Sequence, residues 1–134
     1  MSIDVRHVCT LLQGFDMPAS VRFYRDILGF EIVETSPRDG DQFDWGLLRL
    51  KDTQLMLNTA YDAHDRPASP EPGRTSAHRD TCLYFACPDP DAAHRHLLAN
   101  DVDVRPPKNA PYGMRQLFVI DPDGYRLCFQ WPAD

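Results

Sequence analysis

Apolar and β-branched residues crowd residues 3–12, which predicts a first strand. The segment Asp16-Met17-Pro18-Ala19-Ser20 then opens a helix. Asp16 or Met17 stands at its cap, and Pro18 falls in the first turn, where a missing N–H costs nothing. Val21, Tyr24, Ile27 and Leu28 recur at helical spacing, and Gly29 supplies the stop. Residues 30–34 alternate as a strand does. A polar turn follows at 37–42, then a strand over 43–50, a tight turn at 51–53 and a strand over 54–58. Residues 60–77 hold Pro67, Pro70, Pro72 and Gly73 among charges with no period, which reads as a connector or a lid.

The pattern then restarts. A strand is predicted over 81–86 and a helix from Asp89-Pro90-Asp91 to about Asn100, with Leu97 and Leu98 on its inner face. Strands follow over 102–105, 114–120 and 125–130, with a loop over 106–113 and a turn at Asp121-Pro122-Asp123-Gly124. Laid over one another, the halves put Cys9 on Cys82, Asp16 on Asp89 and Ala19 on Ala92. The same overlay puts Trp45-Gly46-Leu47-Leu48 on Leu117-Phe118-Val119-Ile120, and Gln54-Leu55-Met56-Leu57 on Arg126-Leu127-Cys128-Phe129. Few residues are identical, so the repeat is one of pattern.

The 134 residues suffice for one domain with a core, and 43% hydrophobic with 25% charged residues is ordinary for a globular chain. A net charge of −6 argues against nucleic acid and anionic membranes as partners, and leans toward a cationic small molecule. No apolar run is long enough to span a bilayer, and residues 1–6 lack a leader pattern, so cytoplasmic residence is expected. Cys9, Cys82, Cys87 and Cys128 form no CxxC pair and are expected as free thiols.

Two phrases carry a family resemblance. Residues 20–30, Ser-Val-Arg-Phe-Tyr-Arg-Asp-Ile-Leu-Gly-Phe, form the first. Tyr112-Gly113-Met114-Arg115 with Asp121-Pro122-Asp123-Gly124-Tyr125 form the second. In order, at opposite ends of the chain, they resemble the vicinal oxygen chelate superfamily of glyoxalases, bleomycin-resistance proteins and extradiol dioxygenases. The resemblance implies an α+β fold of two βαβββ modules, about 1–60 and 79–134 with a linker between. The modules would be half-barrels around a cleft, and the chain a homodimer. It also implies that the family's metal-ligand positions fall on Cys9, Met56, Cys82 and Cys128, where its metal enzymes carry His, Gln or Glu.

Those four positions have two readings. Buried free cysteines can be small apolar fillers, leaving the protein without a cofactor. Three thiols and a thioether can also converge on a soft metal ion. His7 is either an exposed strand end or a polar group of the cleft. Tyr84, Trp45 and Trp131 are aromatic candidates for the cleft, while Phe129 alternates away from Cys128 and is expected in the core. Gln54, Asn58, Arg126 and Gln130 share strand faces with Met56 or Cys128 and complete the candidate ligand-binding set. His64, His78, His94 and His96 read as solvated surface, and the Asp121–Gly124 turn as structural. The expected function is metal-free binding of an aromatic or cationic small molecule. The alternatives are a metal-dependent lyase or dioxygenase and a protein for thiophilic metals.

Overall fold

Each half of the chain builds a four-stranded sheet of one order, first–fourth–third–second, in the α+β class. The computed structural model describes residues 1–134, which divide into two compact units, Met1–Ala68 and Ser69–Asp134.

In the first unit, β1 (Thr10–Gly14) pairs parallel with β4 (Thr53–Thr59). That strand pairs antiparallel with β3 (Trp45–Leu50), and β3 with β2 (Glu31–Thr35), which carries a bulge between Ile32 and Glu34. Residues 1–9 are not a strand, contrary to the expectation of one over 3–12. Ile3, Val5 and Val8 remain exposed, so their β-branched pattern has no second surface to pack on. The helix α1 (Met17–Val21) is capped by Asp16, whose carboxylate accepts the Ala19 N–H at 3.3 Å. It continues as a π-helical segment, Arg22–Ile27, and Leu28 N–H reaches back five residues to the Phe23 carbonyl. Gly29, at φ +99°, ends it. The buried face is Met17, Val21, Phe23, Tyr24 and Ile27, against Leu48, Leu55 and Leu57 of the sheet. Of the expected inner positions, only Leu28 is half-exposed.

The second unit begins where a featureless linker was expected. Residues 74–77 form the short helix α2 (Arg74–Ala77), followed by a 3-10 turn, His78–Asp80. These dock on the Asp121–Gly124 turn. Arg74 Nη1 reaches Asp123 Oδ1 at 2.7 Å, and His78 stacks on Tyr125 with ring centroids 4.1 Å apart. Because the Asp123 carbonyl only accepts, His78 Nδ1 must donate to it, at 2.8 Å. His78 is thus half-buried packing, not solvated surface, and residues 74–80 are a clamp rather than a lid. The turn is structural, as expected. Asp121 Oδ1 accepts from the Asp123 and Tyr125 amides, and Gly124 sits at φ +89°.

The second sheet comprises β5 (Cys82–Ala86), β8 (Arg126–Pro132), β7 (Met114–Ile120) and the two-residue β6 (Lys108–Asn109), in that order. The expected strand over 102–105 does not form. Pro106 and Pro107 offer no N–H to a ladder, so pairing waits until Lys108. Helix α3 (Pro90–Ala99) is capped by the Asp89 carboxylate on Ala92 N–H and covers one face of the sheet. Leu97, Leu117, Val119 and Leu127 are buried there. Leu98, expected inside, is exposed because it lies one helical step round from Leu97.

The repeat expected from the sequence holds with one correction. Leu47 pairs with Met56 and Phe118 with Cys128, so Leu47 corresponds to Phe118, not to Val119. The second hairpin turn has one residue more than the first: Leu50 pairs with Thr53 across two residues, whereas Asp121 bonds Tyr125 across three. A one-residue slip exchanges the two faces of a strand. It moves Phe118 onto the open face and Val119 into the core.

Candidate functional site

The face of the second sheet turned away from α3 is three rungs deep. Its first rung is Cys82, Arg126 and Ile120; its second is Tyr84, Cys128 and Phe118; its third is Ala86, Gln130 and Gln116. The sheet register and the two-residue alternation place these side chains on one face. Tyr84 and Phe118 stand edge to face at 6.4 Å and remain 55% and 39% exposed, an unusual state for two large rings beside each other. Arg126 lies over the Phe118 ring, 5.3 Å from its centroid. At the other end Gln116 Nε2 donates to Gln130 Oε1 at 2.9 Å and to the Tyr112 hydroxyl at 2.8 Å. Beside β6 and β7 runs an open groove of about 570 Å³, with Val104, Lys108, Tyr112, Gln116, Phe118 and Ile120 in its wall.

The floor of this face is sulfur, and it is uncharged. Burial pushes the Cys128 thiol up to about 11, the nearby Cys82 adds to the shift, and Arg126 opposes it. Burial raises Cys82 as well, with Arg126 and Tyr84 opposing, and burial raises the Tyr84 hydroxyl. Cys128 is buried completely. In the native protein at pH 7 Cys128 should therefore resist a thiol reagent and react only on unfolding. The folded state holds the Cys128 proton to a higher pH than the unfolded chain does. Its contribution is fully present below the ordinary thiol value of 9.0 and is lost as pH rises toward about 11. The drop in melting temperature between those values should be smaller in Cys128→Ala than in the native chain.

The other sequence candidates lie in the first unit. There Met56 pairs with Leu11 and Leu47, and the Asn58 amide donates to Gln13 Oε1 at 3.1 Å, beside half-buried Trp45. Gln54 is exposed at the strand end. Cys9 precedes β1, and His7 lies in the exposed N-terminal stretch, away from any strand. Phe129 turns to the other face of its sheet and stacks on Phe85 at 5.1 Å. Trp131 lies on that same face, exposed near the end of β8. Sequence reasoning missed Phe118, Ile120, Gln116 and Tyr112; the count of residues in the Asp121–Tyr125 turn was the signal that could have put Phe118 on the right face.

The family-implied ligand positions do not suit the metals of its lyases and dioxygenases. Cys9, Met56, Cys82 and Cys128 offer no imidazole or carboxylate. The three ligand atoms that do approach one another, within 4.8 Å, belong to Asp62, His64 and Asp65, all exposed on the loop after β4. Asp44 stands by this loop, its carboxyl raised by sharing a hydrogen bond with Asp62.

The family description "Glyoxalase/Bleomycin resistance protein/Dioxygenase superfamily" matches residues 5–129. The chain belongs to this superfamily. Among solved structures, SMU.1112c is 27% identical, with 96% of this chain and 100% of that one covered at a TM-score of 0.75. TnmS3, an antibiotic binding protein from a Streptomyces species, is 25% identical over 98% of this chain and 100% of that one, at a TM-score of 0.70. The bleomycin-binding protein of Streptomyces verticillus, solved with copper(II)-bleomycin, shares the fold at 24% identity, 99% coverage of both chains and a TM-score of 0.66. No curated protein matches the chain. No helix of this superfamily member is long and apolar enough to cross a membrane.

Proposed function

We propose that the protein is a small-molecule binding protein that works without a metal and holds an aromatic ligand on the open face of its second sheet. The observation that carries this reading is the exposed Tyr84–Phe118 ring pair beside a groove of about 570 Å³. Rings left in water on a sheet face gain by burying against a flat apolar ligand, and a groove with a few convergent polar groups fixes its orientation. The antibiotic-binding activity of TnmS3, similar in fold and at 25% identity, supports the same reading. The mechanism is burial and stacking over an uncharged floor, with no bond made or broken.

The cationic part of the expectation loses support, because Arg126 puts a positive charge among the rings. The metal-dependent lyase or dioxygenase reading also draws none, because the family-implied ligand positions carry neither imidazole nor carboxylate.

A thermal-shift screen against aromatic drugs and metabolites, followed by calorimetry of the hits, tests the proposal. Phe118→Ala should weaken a hit by about tenfold, near 1.4 kcal/mol, while leaving the fold intact, since the ring is already part-exposed. Absence of any hit across a broad panel would sink the reading.

A further inference from the structure

Arg25, Arg49, Arg74 and Arg115 are each held by a carboxylate at 2.6–2.9 Å. Arg126 is not. No carboxylate lies within 4.0 Å of it and no protein acceptor takes its guanidinium N–H groups, although it is half-buried between Cys82, Ile120 and the Phe118 ring. A guanidinium drawn partly out of water loses hydration that only an anion or several acceptors restore. Its planar fork of donors matches a carboxylate with two parallel hydrogen bonds. The groove wall carries two further cations, Arg105 and Lys108, against one carboxylate, Asp103.

The three rungs are ordered by chemistry. Arg126 is at one end and the rings Tyr84 and Phe118 are in the middle. At the other end Gln116, Gln130 and Tyr112 form a hydrogen-bonded group. In that group the Tyr112 hydroxyl and the Gln130 amide keep protons to donate. End rungs four residues apart along a strand are separated by roughly 13 Å.

Building on the binding reading above, we infer that this face takes an elongated aromatic acid. Its carboxylate sits on Arg126, its ring system lies on Tyr84 and Phe118, and a polar group at its far end meets Gln116 and Gln130. Arg126 is then the specificity-determining residue of the site. It separates acids from their neutral and cationic analogues, whereas the rings supply affinity that all three share.

Calorimetry with a para-hydroxybiphenyl carboxylate, its primary carboxamide and its aminomethyl analogue tests this. The acid should bind at least about tenfold more tightly than the amide, and the amine more weakly than either. Arg126→Gln, with its melting curve checked against the native chain, should remove that preference and leave amide binding within about twofold. Phe118→Ala should weaken acid and amide together. Equal binding of acid and amide, or a preference for the amine, overturns the assignment to Arg126 while the aromatic-binding reading stands. Hits in the drug screen with no binding of the acid overturn the inference alone; a screen without hits overturns both.

Discussion

Gly124→Ala lowers the stability of the chain by roughly 3–5 kcal/mol and its melting temperature by roughly 10–20 °C. Two independent effects add. At φ +89° an L side chain is strained by about 1–2 kcal/mol. A Cβ there also overlaps the backbone carbonyl oxygen of Thr75 and comes within 2.6 Å of the Thr75 methyl. Backbone cannot swing aside as a side chain can. Either the turn opens and breaks the two hydrogen bonds that the Asp123 and Tyr125 amides donate to Asp121, or α2 lifts away and takes with it the Arg74–Asp123 ion pair and the His78–Tyr125 stack. Differential scanning calorimetry of the two proteins checks this. A fall smaller than about 4 °C would show that residues 74–80 yield freely, and that they are not the clamp described above.

Tyr24→Ala is expected to cost a similar amount, roughly 3–5 kcal/mol. Tyr24 is wholly buried, edge to face with Phe23 at 5.1 Å and with Phe30 at 6.0 Å. The ring fills the space between the π-helical turn and the sheet, and Phe23 and Phe30 are fixed by backbone on either side of it, so the cavity cannot collapse. Tyr24→Phe retains the rings and should lose only about 1 kcal/mol. Urea denaturation of the three proteins separates these outcomes. Equal losses for both variants would mean that the hydroxyl, not the ring, holds this region.

Much of this architecture was legible in the residues. The Asp16 and Asp89 caps, the Gly29 stop and the alternating strands after each helix are local signals, and local signals survive folding. Part of what failed depended on partners far along the chain. Residues 3–8 carry strand-forming side chains, but β1 starts only where Thr10 finds Leu55. Val102–Arg105 look like a strand until the Pro106-Pro107 pair is weighed against the need for N–H donors. His78 could not be placed by any local rule, because its partners Asp123 and Tyr125 lie some 45 residues away.

The candidate site was half legible. Tyr84, Cys128, Arg126 and Gln130 follow from alternation alone, and β5 and β8 set them side by side. Phe118 was hidden by a single extra residue in a turn. The sign of the local charge was hidden too. A chain with a net charge of −6 suggested cations, yet the face carries an unpaired arginine, because net charge says nothing about where charges sit.

The proline pair before β6 has a consequence for how copies of this chain can meet. A sheet's last strand is an open template on which another chain can add a strand and so start aggregates. Here β6 offers two residues, with Pro106 and Pro107 directly before them. In the first sheet the edge strand β2 carries Glu31, Glu34 and a bulge. Growth by strand addition is blunted at these two of the four sheet edges, so self-association along β2 and β6 is left to side chains rather than backbone.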